Sequence, residues 1–160
     1  MKEKLLRKYV RKILSEDNKM LHEKKKKGIR AAGFVVLKEI DGVFKILGLS
    51  KGSQYDMPKG HIEEGEAPIE AAFRETEEES GITELSLLWG LENITLNDKL
   101  KLYIATTDQD AVIKPNPETG HYEHEDHKWL SFDEMESKAL DYLVPAVTWA
   151  KQKIQEMETI

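Results

Sequence analysis

"GHIEEGEAPIEAAFRETEEESGI", residues 60–82, is the stretch on which the reading of this chain turns. Its last third sets glutamates at 75, 77, 78 and 79, behind Arg74 and ahead of Gly81. Residues 67–80 carry the marks of a helix, with Pro68 suited to the first turn and Gly81 to the C-terminal stop. On that helix Glu75, Glu78 and Glu79 stand at i, i+3 and i+4 and share one face. Ile69, Ala72, Phe73 and Thr76 form a second face, centred roughly 120° away, which is assigned to the core. Like charges at these spacings cost about 0.2–0.5 kcal/mol per pair. Such a face is either a solvated acidic surface or a cage for hard divalent cations, whose charge reverses the repulsion.

The wider spacing decides between the two. Gly60 is followed by five residues and Glu66, then by seven residues and Arg74-Glu75-Thr76-Glu77-Glu78-Glu79-Ser80-Gly81-Ile82. This resembles the Nudix box, G-x5-E-x7-R-E-U-x-E-E-x-G-U with U apolar. A chance match at all seven fixed letters is on the order of one in a hundred million per starting position, so the solvated-face reading falls away. Thr76 stands where a larger apolar residue is usual, and its methyl can still face the core. The resemblance implies an α/β/α sandwich and the hydrolysis of nucleoside diphosphates linked to another group. By family pattern Glu75, Glu78 and Glu79 hold Mg2+ or Mn2+, with the Gly60 carbonyl as a helper. Glu66, Arg74 and Gly81 support the box, and Arg74 and Glu78 at i, i+4 can pair.

The likeness runs beyond the box, over about residues 31–132. "PKGHIEEGE" (58–66) is similar to the entry segment of dinucleoside polyphosphate hydrolases. "YEHEDHKWL" (122–130) is similar to their "HEHxxYRWL" segment, which aligns Glu123 with a further metal-site glutamate. His124 beside it is expected at the mouth of the site. That branch carries an adenine-site tyrosine in the window that here reads Asn97, Asp98 and Lys99, so the likeness weakens at base recognition. Tyr103 shares strand parity with Lys99 and Lys101 and is the candidate to stack a base. Lys59, Lys99 and Lys101 are candidate phosphate contacts. His121, His124 and His127 recur at spacings of three in an acidic loop, without the helix that would make them a clear metal motif.

Working outward, Asp41-Gly42 between two apolar runs signals a hairpin. Residues 51–66 read as loop, 85–95 and 100–107 as strands, 108–126 as an acidic loop and 127–132 as a short strand. Ser131 and Glu134 fit a capping box, and a last helix is expected over 142–157. Strands and helices do not alternate strictly, so the fold class is α/β with a mixed sheet and helices on its faces.

The first thirty residues differ in kind from the rest. They hold 12 Lys and Arg against 4 Asp and Glu, whereas residues 31–160 hold 12 against 26. Leu6, Tyr9, Val10, Ile13 and Leu14 follow helical spacing, and "EKKKKG" (23–28) closes the segment. Residues 1–29 are therefore read as a basic amphipathic arm on a domain spanning 30–160. The arm is expected to pack on its own domain, to join a homodimer, or to contact an anionic polymer such as RNA or a membrane surface. The chain has no cysteine, which excludes disulfides, thiolate metal sites and cysteine nucleophiles. No apolar run reaches the ~18 residues of a membrane span. The basic N-terminus lacks the apolar core of a signal peptide, and a cytoplasmic location is expected.

Together these readings point to a metal-dependent pyrophosphohydrolase. A dinucleoside polyphosphate such as diadenosine tetraphosphate, cut to ATP and AMP, is the expected substrate. RNA 5'-triphosphates or nucleoside triphosphates are the alternative. A module that senses a nucleotide without cleaving it is the competing class, and degenerate boxes rather than an intact one mark such modules.

Overall fold

The computed structural model describes Arg7 and residues 28–159. The basic amphipathic arm read over 1–29 lies, apart from Arg7 and residues 28–29, outside the described residues.

Strand β1 (Ala31–Ile40) is buried without a break from Ala32 to Leu37. Its residues alternate between two cores: Ala32, Phe34 and Val36 face one side, Val35 and Leu37 the other. A strand covered on both faces needs apolar side chains on both, which is why its sequence lacks a polar alternation. Asp41 and Gly42 take φ of 53° and 79°, the two positive values a tight hairpin turn requires. They lead into β2 (Val43–Lys51), paired antiparallel with β1 from Ile40–Val43 to Leu37–Ile46.

Beyond Leu37 the two strands diverge, and the chain itself fills the gap. Strand β3 (Gln54–Asp56) pairs with β2, and β4 (Lys59–His61) pairs with β1. These two strands correct the reading of 51–66 as loop. Apart from Tyr55, their residues carry little strand preference. They form because parted strands expose backbone groups that must be paired. Strand β6 (Leu100–Thr106) runs parallel to β1 along its other edge, with β5 (Asn93–Leu96) antiparallel outside it and β7 (His127–Leu130) antiparallel to β2. The result is one mixed sheet of seven strands. The strand expected over 85–95 shrinks to its last residues: Ser86 makes only an isolated bridge to Thr106, and Gly90 at φ 61° turns the chain before β5.

Helix α1 (Pro68–Ser80) covers one face with Ile69, Ala72, Phe73 and Thr76, the apolar face expected from the sequence. Thr76 is fully buried because its hydroxyl donates to the Ala72 carbonyl at 2.7 Å, which leaves the methyl for the core. Helix α2 (Phe132–Lys138), a short 3-10 turn (Asp141–Leu143) and α3 (Val144–Glu158) cover the other face through Met135, Leu143, Val147 and Ala150. Ser131 caps α2 by accepting from the Glu134 N–H at 3.1 Å. The α/β/α sandwich with a mixed sheet, expected from the sequence, is what the described residues form.

Candidate active site

The end of β4 and the start of α1's acidic face are locked together by Arg74. Its Nε and Nη2 donate to the two Glu66 oxygens at 2.8 and 3.0 Å. Nη1 reaches Glu75 at 2.8 Å and Glu78 at 3.3 Å, and Nη2 also reaches the His61 carbonyl at 2.9 Å. The bidentate bond to Glu66, with Glu75 adding to it, raises the guanidinium pKa further above its already high value. One side chain thus fixes the loop before the helix and two carboxylates on it. Gly81 closes the helix at φ 69°, its N–H bonded to the Glu77 carbonyl at 2.9 Å.

Gly60 is needed for space. A Cβ built on it would lie 2.2–2.4 Å from the Glu75 carboxylate atoms. Glu75 therefore lies directly on the β4 backbone. Burial pushes its pKa up, with Arg74 opposing.

Glu79 is the more extreme case. Its side chain is only 10% exposed, and its buried Oε2 has no hydrogen-bond partner among the described residues. Burial, reinforced by the charges of Asp56, Glu75 and Glu123 and opposed by Lys59, pushes its pKa up to about 9. The chemistry missing at this carboxylate is positive charge. Three further acids stand near it, and hard divalent cations take oxygen ligands, so the residues present suit Mg2+ or Mn2+.

Glu123 arrives from the loop before β7, where Asn116 Nδ2 donates to its Oε1 at 2.8 Å. Beside it His124 is buried, with Nε2 3.2 Å from Asp56 Oδ2. Asp56 Oδ1 in turn meets Lys59 Nζ at 2.8 Å and the Met57 N–H at 2.8 Å. Burial alone would lower the Lys59 pKa, but the Asp56 carboxylate outweighs it and raises the value to about 12. Burial would raise Asp56, yet its bonds to His124 and Lys59 hold it below the usual range.

These groups share one cleft of about 520 Å³, lined by Lys59, Gly60, Glu75, Glu78, Glu79 and Glu123 among others. His124 lines a smaller pocket that shares Glu75, Glu78, Glu79 and Glu123 with this cleft. Lys99, Lys101 and Tyr103 do not line it. Tyr103 is 3% exposed and packs its ring 5.9 Å from Phe34, so it leaves the substrate set as a core residue. Parity put Tyr103 on one face of β6 correctly, but that face is covered by α1. Lys101 is 8% exposed on the same strand. Lys99 belongs to the turn after β5, where Asn97 and Asp98 take φ of 53° and 58° and the Lys99 N–H closes on the Leu96 carbonyl at 3.1 Å. This tight turn stands where the related branch carries its tyrosine. Of the three histidines, His127 opens β7 and bonds Asp110 at 3.3 Å, and His121 is exposed, so only His124 meets the acidic residues of the box.

Asp56 and Asn116 are two residues at the site that sequence reading did not single out. Asp56 lies only three residues before Lys59, but its partner His124 is 68 residues away and nothing in the spacing announces it. Glu77, the remaining glutamate of the cluster, points away from the cleft and accepts from Arg7 Nη2 at 2.8 Å. The Arg7 guanidinium also lies 5.6 Å from the Phe73 ring centre.

Residues 29–149 match the NUDIX domain. The asymmetrical bis(5'-nucleosyl)-tetraphosphatase of Rattus norvegicus is 34% identical over 124 residues, covering 66% of this chain and 81% of that protein. An RNA pyrophosphohydrolase of Bartonella tribocorum is 25% identical over 114 residues, 59% of this chain and 66% of that protein. Among solved structures, a binary complex of a C. elegans Ap4A hydrolase superposes with a TM-score of 0.64 at 22% identity, over 80% of this chain and 98% of that one. No helix among the described residues is long and apolar enough to cross a membrane. With the box residues at family spacing and the fold shared, this chain belongs to the Nudix family, as a hydrolase of phosphorus-containing acid anhydrides.

Proposed function

We propose that the chain cleaves dinucleoside polyphosphates, with diadenosine tetraphosphate split into ATP and AMP as its leading substrate. One observation carries the reading: Glu75, Glu78, Glu79 and Glu123 converge on a single cleft beside Lys59. The curated relative named for asymmetrical tetraphosphate cleavage supports the choice of substrate. Glu75, Glu78, Glu79 and Glu123 would hold the cations, with the Gly60 carbonyl beside Glu75. Bound divalent cations neutralise polyphosphate oxygens and lower the pKa of bound water. Arg74 keeps Glu75 and Glu78 at their stations through bonds of 2.8 and 3.3 Å. Lys59, its charge secured by Asp56, offers the cleft a fixed cation for a phosphate oxygen. Glu66 and Gly81 hold the two ends of the acidic segment and touch no substrate.

A second reading, RNA 5'-triphosphate hydrolysis, is favoured by the basic arm and by the relative named RNA pyrophosphohydrolase. In that case residues 1–29 form an arm outside the hydrolase domain and contact the RNA backbone; otherwise they serve in assembly. A sensing module without turnover is disfavoured by the intact box. The test is a substrate panel with Mg2+ and products identified by mass: dinucleoside polyphosphates, triphosphorylated RNA, nucleotide sugars and nucleoside triphosphates. Diadenosine tetraphosphate should turn over fastest. A preference for RNA would transfer the proposal to the second reading, and no turnover of any would favour the sensing module.

A further inference from the structure

His124 is built like a histidine that binds metal. Its ring is 5% exposed, and its Nε2 is engaged by Asp56 Oδ2 at 3.2 Å. Asp56 is itself held by the Lys59 ammonium at 2.8 Å and the Met57 N–H at 2.8 Å, so the acceptor cannot drift. A carboxylate accepting from Nε2–H selects the tautomer whose Nδ1 carries a free lone pair. That Nδ1 faces Glu79 Oε2 at 3.9 Å, too long for a hydrogen bond. Glu79 Oε2 is the buried oxygen without a partner. Donor atoms of Glu79, Glu123 and His124 all lie within 4.8 Å of one another. Two carboxylates and an imidazole nitrogen thus converge closely enough to share one cation.

We infer that His124 Nδ1 is a ligand of the cation held by Glu79 and Glu123, making this position a mixed nitrogen–oxygen site that selects Mn2+ over Mg2+. The selection is relative to Mg2+ alone. Mg2+ prefers oxygen and water in strict octahedral geometry, whereas a nitrogen donor favours first-row transition ions, of which Mn2+ is the weakest binder but still gains more than Mg2+. Asp56 is the positioning residue, setting the tautomer and the ring plane. Glu75 and Glu78, with Gly60, remain an all-oxygen group that accepts Mg2+. The inference rests on the proposed cation role of this cleft, and it is read by spectroscopy without any turnover.

The full chain is loaded with about one equivalent of Mn2+ and studied by pulsed electron paramagnetic resonance. A 14N coupling from a directly bound imidazole is expected in the unaltered protein and should vanish in His124→Gln. Calorimetric titration should show Mn2+ affinity falling at least tenfold in His124→Gln, with Mg2+ affinity changed less than about threefold. Asp56→Asn should weaken Mn2+ by about 10–100-fold, the range typical of a lost outer partner. Mn2+ bound to the unaltered protein without 14N coupling would overturn the inference, whatever the variants do. Equal losses for Mn2+ and Mg2+ in His124→Gln would also overturn it, by reducing His124 to a packing role. Either failure would leave the hydrolysis proposal standing, since that is judged by products.

Discussion

Gly60→Ala isolates the position of one carboxylate. The new methyl carbon would lie 2.2–2.4 Å from Cδ, Oε1 and Oε2 of Glu75. Ordinary contact needs about 3.4–4 Å, so the carboxylate must retreat by about 1 Å or more. Gly60 is not among the positive-φ residues, so the backbone accepts alanine without strain. The retreat pulls Glu75 from the Arg74 Nη1 bond at 2.8 Å and from its place facing the cleft. A misplacement of this size costs about 100-fold in rate, equivalent to roughly 2.7 kcal/mol in the barrier. Folding stability should change by less than about 1 kcal/mol, since the entropy gained by replacing glycine offsets part of the contact loss. The assay is steady-state hydrolysis with products resolved by chromatography, alongside thermal unfolding followed by circular dichroism. A folded Gly60→Ala protein with near-normal turnover would refute the claim that Glu75 works from this position.

Glu78→Gln should lower turnover by about 1000-fold with the fold intact, because a lost anionic ligand removes stabilisation of developing charge; near-normal turnover at saturating Mg2+ would remove Glu78 from the cation set. Glu79 is expected to contribute a pH dependence to the stability of the metal-free protein. Its folded pKa is raised to about 9 from 4.5, so between those values the folded state holds a proton that the unfolded state releases. Stability in EDTA should therefore fall as pH rises across that window, and Glu79→Gln should flatten the fall; equal slopes in melting temperature for the two proteins would contradict the burial argument. Deleting residues 1–27 removes Arg7 and its ion pair with Glu77, a half-exposed contact of the kind worth at most about 1 kcal/mol. Cleavage of a small dinucleotide should stay within about threefold, and a folded truncation that loses it would tie the arm to the catalytic site.

The acidic helix could be read from the sequence because its constraints are local. Arg74, Glu75, Glu78 and Gly81 act within two turns, and helical geometry converts their spacing directly into a shared face. The hairpin at Asp41-Gly42 was equally plain, since positive φ at two successive positions narrows the choice of residues. Tyr103 shows where such reasoning stops. Alternation along β6 tells which side chains share a face, but only the packing of α1 decides that this face is closed to a ligand. Strands β3 and β4 were hidden for a related reason: their three-residue pairings answer the divergence of β1 and β2, not any preference of their own. The chain from Lys59 through Asp56 to His124 crosses from one loop to another and leaves no periodic trace.

We propose that the four converging carboxylates serve asymmetric cleavage of a dinucleoside tetraphosphate. The most direct test is incubation of the full chain with diadenosine tetraphosphate and Mg2+, with products identified by mass over the first tenth of the reaction. ATP and AMP in equal amounts, absent in Glu78→Gln, is the predicted result. Two molecules of ADP, or an intact substrate under conditions where triphosphorylated RNA is consumed, would contradict it.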